Sequence, residues 1–113
     1  MYDRSQLMRG TLEGCILQLL HEKVTYGYEI VTRLQQFGFY ELKEGTIYPL
    51  LLRLEKKQMI HAEYKTSPFG PMRKYYSLTP KGETLRIEFS ACWAEVSNTV
   101  NAILHKGETE DEP

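Results

Sequence analysis

Two cysteines in 113 residues, Cys15 and Cys92, are too few for a disulfide scaffold, and they make a reducing cytoplasm the expected compartment. Long apolar runs are missing as well. None approaches the ~18 residues of a membrane span, and Met1-Tyr2-Asp3-Arg4 has no apolar segment behind a basic one, so neither a membrane partner nor a secretory route is expected. No glycine-rich phosphate loop follows a strand-like segment. The histidines, His21, His61 and His105, fall in three different predicted elements, and none stands beside Cys or Ser in a nucleophile pattern. Two distant cysteines with scattered histidines do not supply the four clustered ligands of a zinc site. These absences argue against an enzyme and lead us to expect no metal and no cofactor. Both cysteines lie on apolar helical faces and read as small buried hydrophobes, with a thiol sensor or bridge as the alternative.

What is present is enough for one compact domain: 42% of the residues are apolar and the net charge is −1. That charge hides a polarity. Residues 1–82 hold 12 Lys and Arg against 8 Asp and Glu, whereas residues 83–113 hold 2 against 7. A basic body with an acidic end suits a polyanionic partner touched by one part of the molecule.

Leu12, Ile16, Leu19 and Leu20 recur as one face of a helix spanning about residues 5–22. Thr25 is expected to cap a second helix, which presents Ile30, Val31 and Leu34 and stops near Gly38. A third helix, about residues 44–58, has the stripe Ile47, Leu50, Leu51 and Leu54, with Pro49 expected in or near its first turn. Residues 61–66 and 73–79 are rich in Tyr and Thr and read as a hairpin, joined by a turn over residues 67–72 that contains Pro68, Gly70 and Pro71. Thr79-Pro80 then opens a last helix to about His105, roughly 26 residues or ~39 Å long. Residues 106–113 contain no apolar residue and are expected to be a disordered acidic tail. The fold class is therefore mostly α (α+β): a winged helix-turn-helix over residues 1–79, a long C-terminal helix over 80–105 and the tail.

In that arrangement the third helix enters a major groove and the hairpin is the wing. Its outer surface includes Pro49, Arg53 and Lys56. Lys43, Gly45, Thr46 and Tyr48 at its start, together with Arg53 and the wing cations Lys65, Arg73 and Lys74, form the expected DNA-contacting set. A winged helix used only for protein contact is the rival reading, and its sign would be the loss of these basic residues. The segments Tyr26-Gly27-Tyr28-Glu29-Ile30, Glu44-Gly45-Thr46-Ile47-Tyr48-Pro49, Arg53-Leu54-Glu55-Lys56 and Arg73-Lys74-Tyr75-Tyr76-Ser77-Leu78-Thr79-Pro80-Lys81-Gly82 resemble the PadR family of bacterial transcriptional regulators, in order and spacing, over roughly residues 7–105. The resemblance implies a dimeric winged-helix repressor of the short subgroup, with double-stranded operator DNA as partner. The pair Lys43-Glu44 departs from the small hydroxyl or proline that many members have there. Glu44 would repel phosphate or accept a hydrogen bond from a cytosine amino group.

On the last helix, Leu85, Phe89, Cys92, Val96, Val100 and Ile103 step by threes and fours, and Trp93, Ala94 and Leu104 widen the stripe. So much apolar surface predicts a homodimer, which in turn predicts an inverted-repeat operator. Trp93, the single tryptophan, stands at the edge of the stripe. With Phe89, and with Glu13 and Ser97 as polar contacts, it is the expected site for a planar aromatic, drug-like effector between two subunits. The resemblance supports this, since some short PadR-like regulators bind inducers between aromatic residues. The alternatives are Trp93 as interface packing and a regulator without a ligand.

Overall fold

The computed structural model describes residues 1–67 and 69–106. In chain order the elements are α1 (Arg4–Met8), α2 (Leu12–Glu22), β1 (Thr25–Tyr26), α3 (Gly27–Phe37), α4 (Glu44–Lys56), β2 (Ile60–Ser67), β3 (Gly70–Leu78) and α5 (Pro80–Leu104). The winged helix-turn-helix is therefore present, and its antiparallel sheet has three strands in the order β1-β3-β2.

The predicted first helix is two. Asp3 caps α1 by accepting from the Ser5 amide, and the chain turns at Gly10, where helix costs most backbone freedom. Both the amide and the hydroxyl of Thr11 donate to the Met8 carbonyl, closing that turn before α2 begins. Thr25 is not the cap of α3. It is fully buried in β1, paired with Tyr76 of β3, and its hydroxyl is bonded to the Glu29 carboxylate. The helix starts after Tyr26 instead. Gly38 ends α3 with φ 131°, as its lack of a Cβ allows, and Phe39 returns its amide to the Leu34 carbonyl.

The inner stripe of α4 is as expected: Ile47, Leu51 and Leu54 are buried and Leu50 half-buried. Pro49, however, is the sixth residue of this helix, in its second turn. A proline there removes the amide that would bond to the Gly45 carbonyl, and it is tolerated on an exposed face where water can replace that bond. After α4, Gln58 takes φ 62° and Met59 donates to the Leu54 carbonyl, a left-handed stop built without glycine. The expected turn over residues 67–72 is also shorter, since β3 already begins at Gly70 and includes Pro71 and Met72. Pro68 lies outside the described residues. A register shift between Lys65 and Ser67 irregularly ends β2.

The core joins α2, α3, α4 and the root of the sheet: Leu12, Ile16, Leu20, Ile30, Leu34, Ile47, Leu51, Leu54, Ile60 and Tyr76 are all buried. Thr79 caps α5, accepting from the Gly82 amide while its hydroxyl bonds to the Met59 carbonyl. Gly82 makes this junction possible, because a Cβ there would lie 1.9 Å from the Met59 carbonyl oxygen. Leu85 packs on the core, and the rest of α5 crosses α2 and leaves it. The expected acidic tail falls, from residue 107 onward, outside the described residues.

Candidate nucleic-acid interface

The start of α4 is open to solvent. Lys43, Glu44, Gly45 and Thr46 are exposed, and no side chain caps the helix. The first-turn amides of Glu44 and Gly45 have no carbonyl one turn back, so a partner's oxygen can take them. Tyr48 leans toward α3, and its ring fills the space a side chain on Gly27 would need.

Both flanks of α4 are braced by ion pairs. On one side Arg53 is paired with Glu13 of α2. On the other, Lys74 of β3 donates to Glu55 at 2.9 Å, which holds the lysine pKa above its ordinary value. The Arg53–Glu13 pair is open on the arginine side and the Lys74–Glu55 pair is partly buried, so a phosphate takes Arg53 more readily than Lys74. Sequence reasoning named both cations but not these partners.

The wing carries its remaining cations on aromatic rings. The Arg73 guanidinium lies 4.4 Å from the Tyr26 ring centroid, and Lys65 lies 5.5 Å from that of Tyr75. Tyr26 and Tyr75 meet edge to face at 5.6 Å. These contacts aim the cations without neutralising them. Arg73, Lys74, Tyr48 and the start of α3 line a groove of about 280 Å³ together with Tyr26, Tyr28 and Tyr76. Of the predicted DNA set, the structure thus gathers Tyr48, Arg73 and Lys74 in one groove. Lys43, Gly45 and Thr46 lie at the mouth of α4, while Lys65 lies farther out along the wing. The groove tyrosines Tyr26, Tyr28 and Tyr76 were missed; the alternation of Lys74 and Tyr76 along β3 was a signal for Tyr76, and none was available for the other two.

The predicted effector residues divide. Trp93 and Phe89 line a hollow of about 450 Å³ between α2, α3 and α5, with Cys15, Leu19, Leu34 and Phe37 among its apolar walls. Glu13 is not on that wall but at α4, and the Ser97 hydroxyl bonds back to the Ala94 carbonyl. Gln18, Glu22 and Arg86 supply the polar rim instead. Arg86 donates to Gln18 at 2.9 Å and to Glu83, while Arg33 holds Glu22 at 2.7 Å and keeps its carboxyl below the usual range. Phe89 sits against Gly14 of α2. Among the predicted dimer residues, Leu85 and Phe89 are therefore used within the chain, whereas Cys92, Val96, Val100 and Ile103 are exposed. Burial raises the Cys15 thiol pKa, which makes it less reactive. Among the described residues no group of three His, Cys, Asp or Glu could hold a metal, and no helix is long and apolar enough to cross a membrane.

The profile of the Transcriptional regulator PadR-like family matches residues 16–87. The crystal structure of a PadR-like transcriptional regulator from Bacillus cereus is 48% identical, covering 88% of this chain and 97% of its own, with a TM-score of 0.82. A Streptococcus transcriptional regulator is 46% identical over 87% of this chain and 96% of its own, with a TM-score of 0.79. A PadR family transcription regulator from Clostridium difficile is 33% identical, covers 83% and 98%, and has a TM-score of 0.77.

Proposed function

The chain belongs to the PadR-like family of transcriptional regulators, and on that premise we propose that it acts in the cytoplasm as a homodimeric repressor, released from an inverted-repeat operator by a planar aromatic effector. As a member of that family it is a DNA-binding regulator and not an enzyme. The observation that carries the finer reading is the division of labour along the chain. Cations and open helix amides gather on α4 and the wing, and the outer half of α5 exposes Trp93, Val96, Val100, Ile103 and Leu104.

Pairing two such α5 helices would cover that surface and set two copies of α4 about one helical turn of DNA apart, ~10 bp, or a multiple of it. Thr46, Tyr48 and the α4 amides then meet base edges and backbone, and Lys43, Arg53, Lys65, Arg73 and Lys74 meet phosphates. The hollow beside Trp93 supports the effector reading. It is apolar, large enough for a flat ring system, and rimmed by Glu22, Gln18 and Arg86, of which Glu22 and Gln18 take over the polar role expected of Glu13 and Ser97.

The test is binding to the duplex upstream of the chain's own gene across a salt series. Arg73→Ala with Lys74→Ala is expected to weaken binding to every sequence and to flatten the salt slope by about one unit per lost phosphate contact. A planar cationic dye is expected to quench Trp93 saturably and to lower operator affinity. An unchanged slope removes the wing from the reading, and a dye that never quenches Trp93 removes the effector.

A further inference from the structure

On the outward face of α4, Gly45, Pro49 and Leu52 carry no hydrogen-bonding side chain. Gly45, Tyr48, Pro49 and Leu52 follow the i, i+3, i+4, i+7 spacing of one helix face, and all four are exposed. Leu52 is 49% exposed, although it stands in a helix whose inner residues Ile47, Leu51 and Leu54 are buried. This helix therefore has two apolar stripes, one for the core and an outer one on which only Tyr48 leans against another element, at Gly27 of α3, among the described residues. Between Gly45 and Leu52 this stripe holds no Asn, Gln, Arg or Lys, the residues that read adenine and guanine through paired hydrogen bonds. Lys56 follows only in the next turn. The polar residues that could reach bases are displaced to the flanks: Thr46 and Glu44 beside the stripe, and Arg53 turned to Glu13.

An apolar strip between cations suits one feature of duplex DNA. The thymine C5-methyl projects into the major groove and is read by apolar contact, while the flanking cations Lys43, Arg53, Lys56, Arg73 and Lys74 suit the phosphates on either side. We propose that α4 selects its operator by packing Leu52 and Pro49 against thymine methyl groups, with Gly45 letting the helix approach closely and Tyr48 closing the wing side. This rests on the reading that α4 enters the major groove. An open space of at least 4 Å beyond Gly45 agrees with close approach, since among the described residues no neighbour requires a glycine there. The inference also accounts for a leucine that neither core nor wing uses.

The experiment is selection of the full-length protein on a pool of random-sequence duplexes, followed by resynthesis of the winners with deoxyuridine replacing thymidine one position at a time. Uracil keeps every hydrogen-bonding edge and loses only the methyl. At the thymines facing Leu52 the wild type is expected to bind about fourfold more weakly after each replacement, as for one buried methyl-sized group. Leu52→Ala, at an exposed position, is expected to keep its melting temperature and to bind the two duplexes alike, whereas Leu52→Met retains the preference. Equal wild-type binding to thymidine and deoxyuridine at every position overturns the inference while leaving α4 as a base reader. So does full discrimination in Leu52→Ala. A pool that yields no winner overturns the base-reading role of α4 together with this inference, and leaves the strip as a protein-docking face.

Discussion

Glycine takes two opposite roles in this chain, and the same substitution separates them. At Gly45 an added methyl meets nothing within 4 Å, and the residue lies inside a helix. Alanine loses less backbone freedom on folding, so Gly45→Ala is expected to stabilise the protein in urea denaturation, by less than the ~1 kcal/mol of a helix-interior site because Gly45 lies in the first turn. Its methyl projects from the face assigned to DNA, so affinity for duplex is expected to fall in the same variant. At Gly82 the methyl would lie 1.9 Å from the Met59 carbonyl oxygen, which is backbone and itself bonded to Thr79. Gly82→Ala is therefore expected to cost about 2–3 kcal/mol. A Gly45→Ala protein that binds DNA as tightly as wild type would show that close approach at this position is not used. Both glycines are visible in the sequence, inside segments of specific spacing, but their contrast is not. It depends on whether a chain segment more than twenty residues away returns to the same point.

Each element was legible where its signal is local. The apolar stripe of α4 and the Thr79-Pro80 start of α5 are properties of a few consecutive residues, and both are present in the structure. Elements decided by distant partners were not legible. The two residues of β1 are too few to show alternation, and they form a strand only because Tyr75 and Tyr76 of β3 lie alongside. Likewise Arg53 and Lys74 are recognisable as cations, but their partners Glu13 and Glu55 lie 40 and 19 residues away. The mistaken cap at Thr25 has a measurable consequence. Its hydroxyl bonds to Glu29 at the start of α3, and that bond, aided by Lys23, holds the Glu29 carboxyl below its ordinary pKa. A carboxyl depressed on folding adds stability above its unfolded pKa, about 4.3, and that stability is lost as pH falls through the lower folded value. Denaturation midpoints are therefore expected to drop below about pH 4 in the wild type. In Glu29→Gln the protein starts less stable at neutral pH and that part of the acid-dependent loss is absent. Parallel pH profiles for the two proteins would remove Glu29 as a contributor.

The whole molecule is longer than its body requires. A 113-residue domain has an expected radius of gyration near 13 Å, whereas the Cα value is 17.2 Å with a longest extent of 63 Å. The outer half of α5 and the wing both project from the body. Leu85 and Phe89 fasten the first turns of α5 to the core and to α2, but Val96, Val100, Ile103 and Leu104 are 45–70% exposed. A single chain leaves this surface in water, and the proposed pairing of two α5 helices would remove it. Because the core residues lie between Met8 and Tyr76, breaking that association need not unfold the body. Val96→Glu with Val100→Glu is therefore expected to give a folded monomer that sediments near 13.2 kDa, retains a cooperative melting transition and loses tight operator binding while keeping weak, salt-sensitive contact with any duplex. The single tryptophan gives an internal check, because Trp93 stands half-exposed beside these valines. Its emission is expected to shift to longer wavelength on dilution of the wild type through the dimer's dissociation range, and to be independent of concentration in the double variant. A double variant that still sediments as a stable dimer would mean that another face joins the chains, and α5 would then need a different partner.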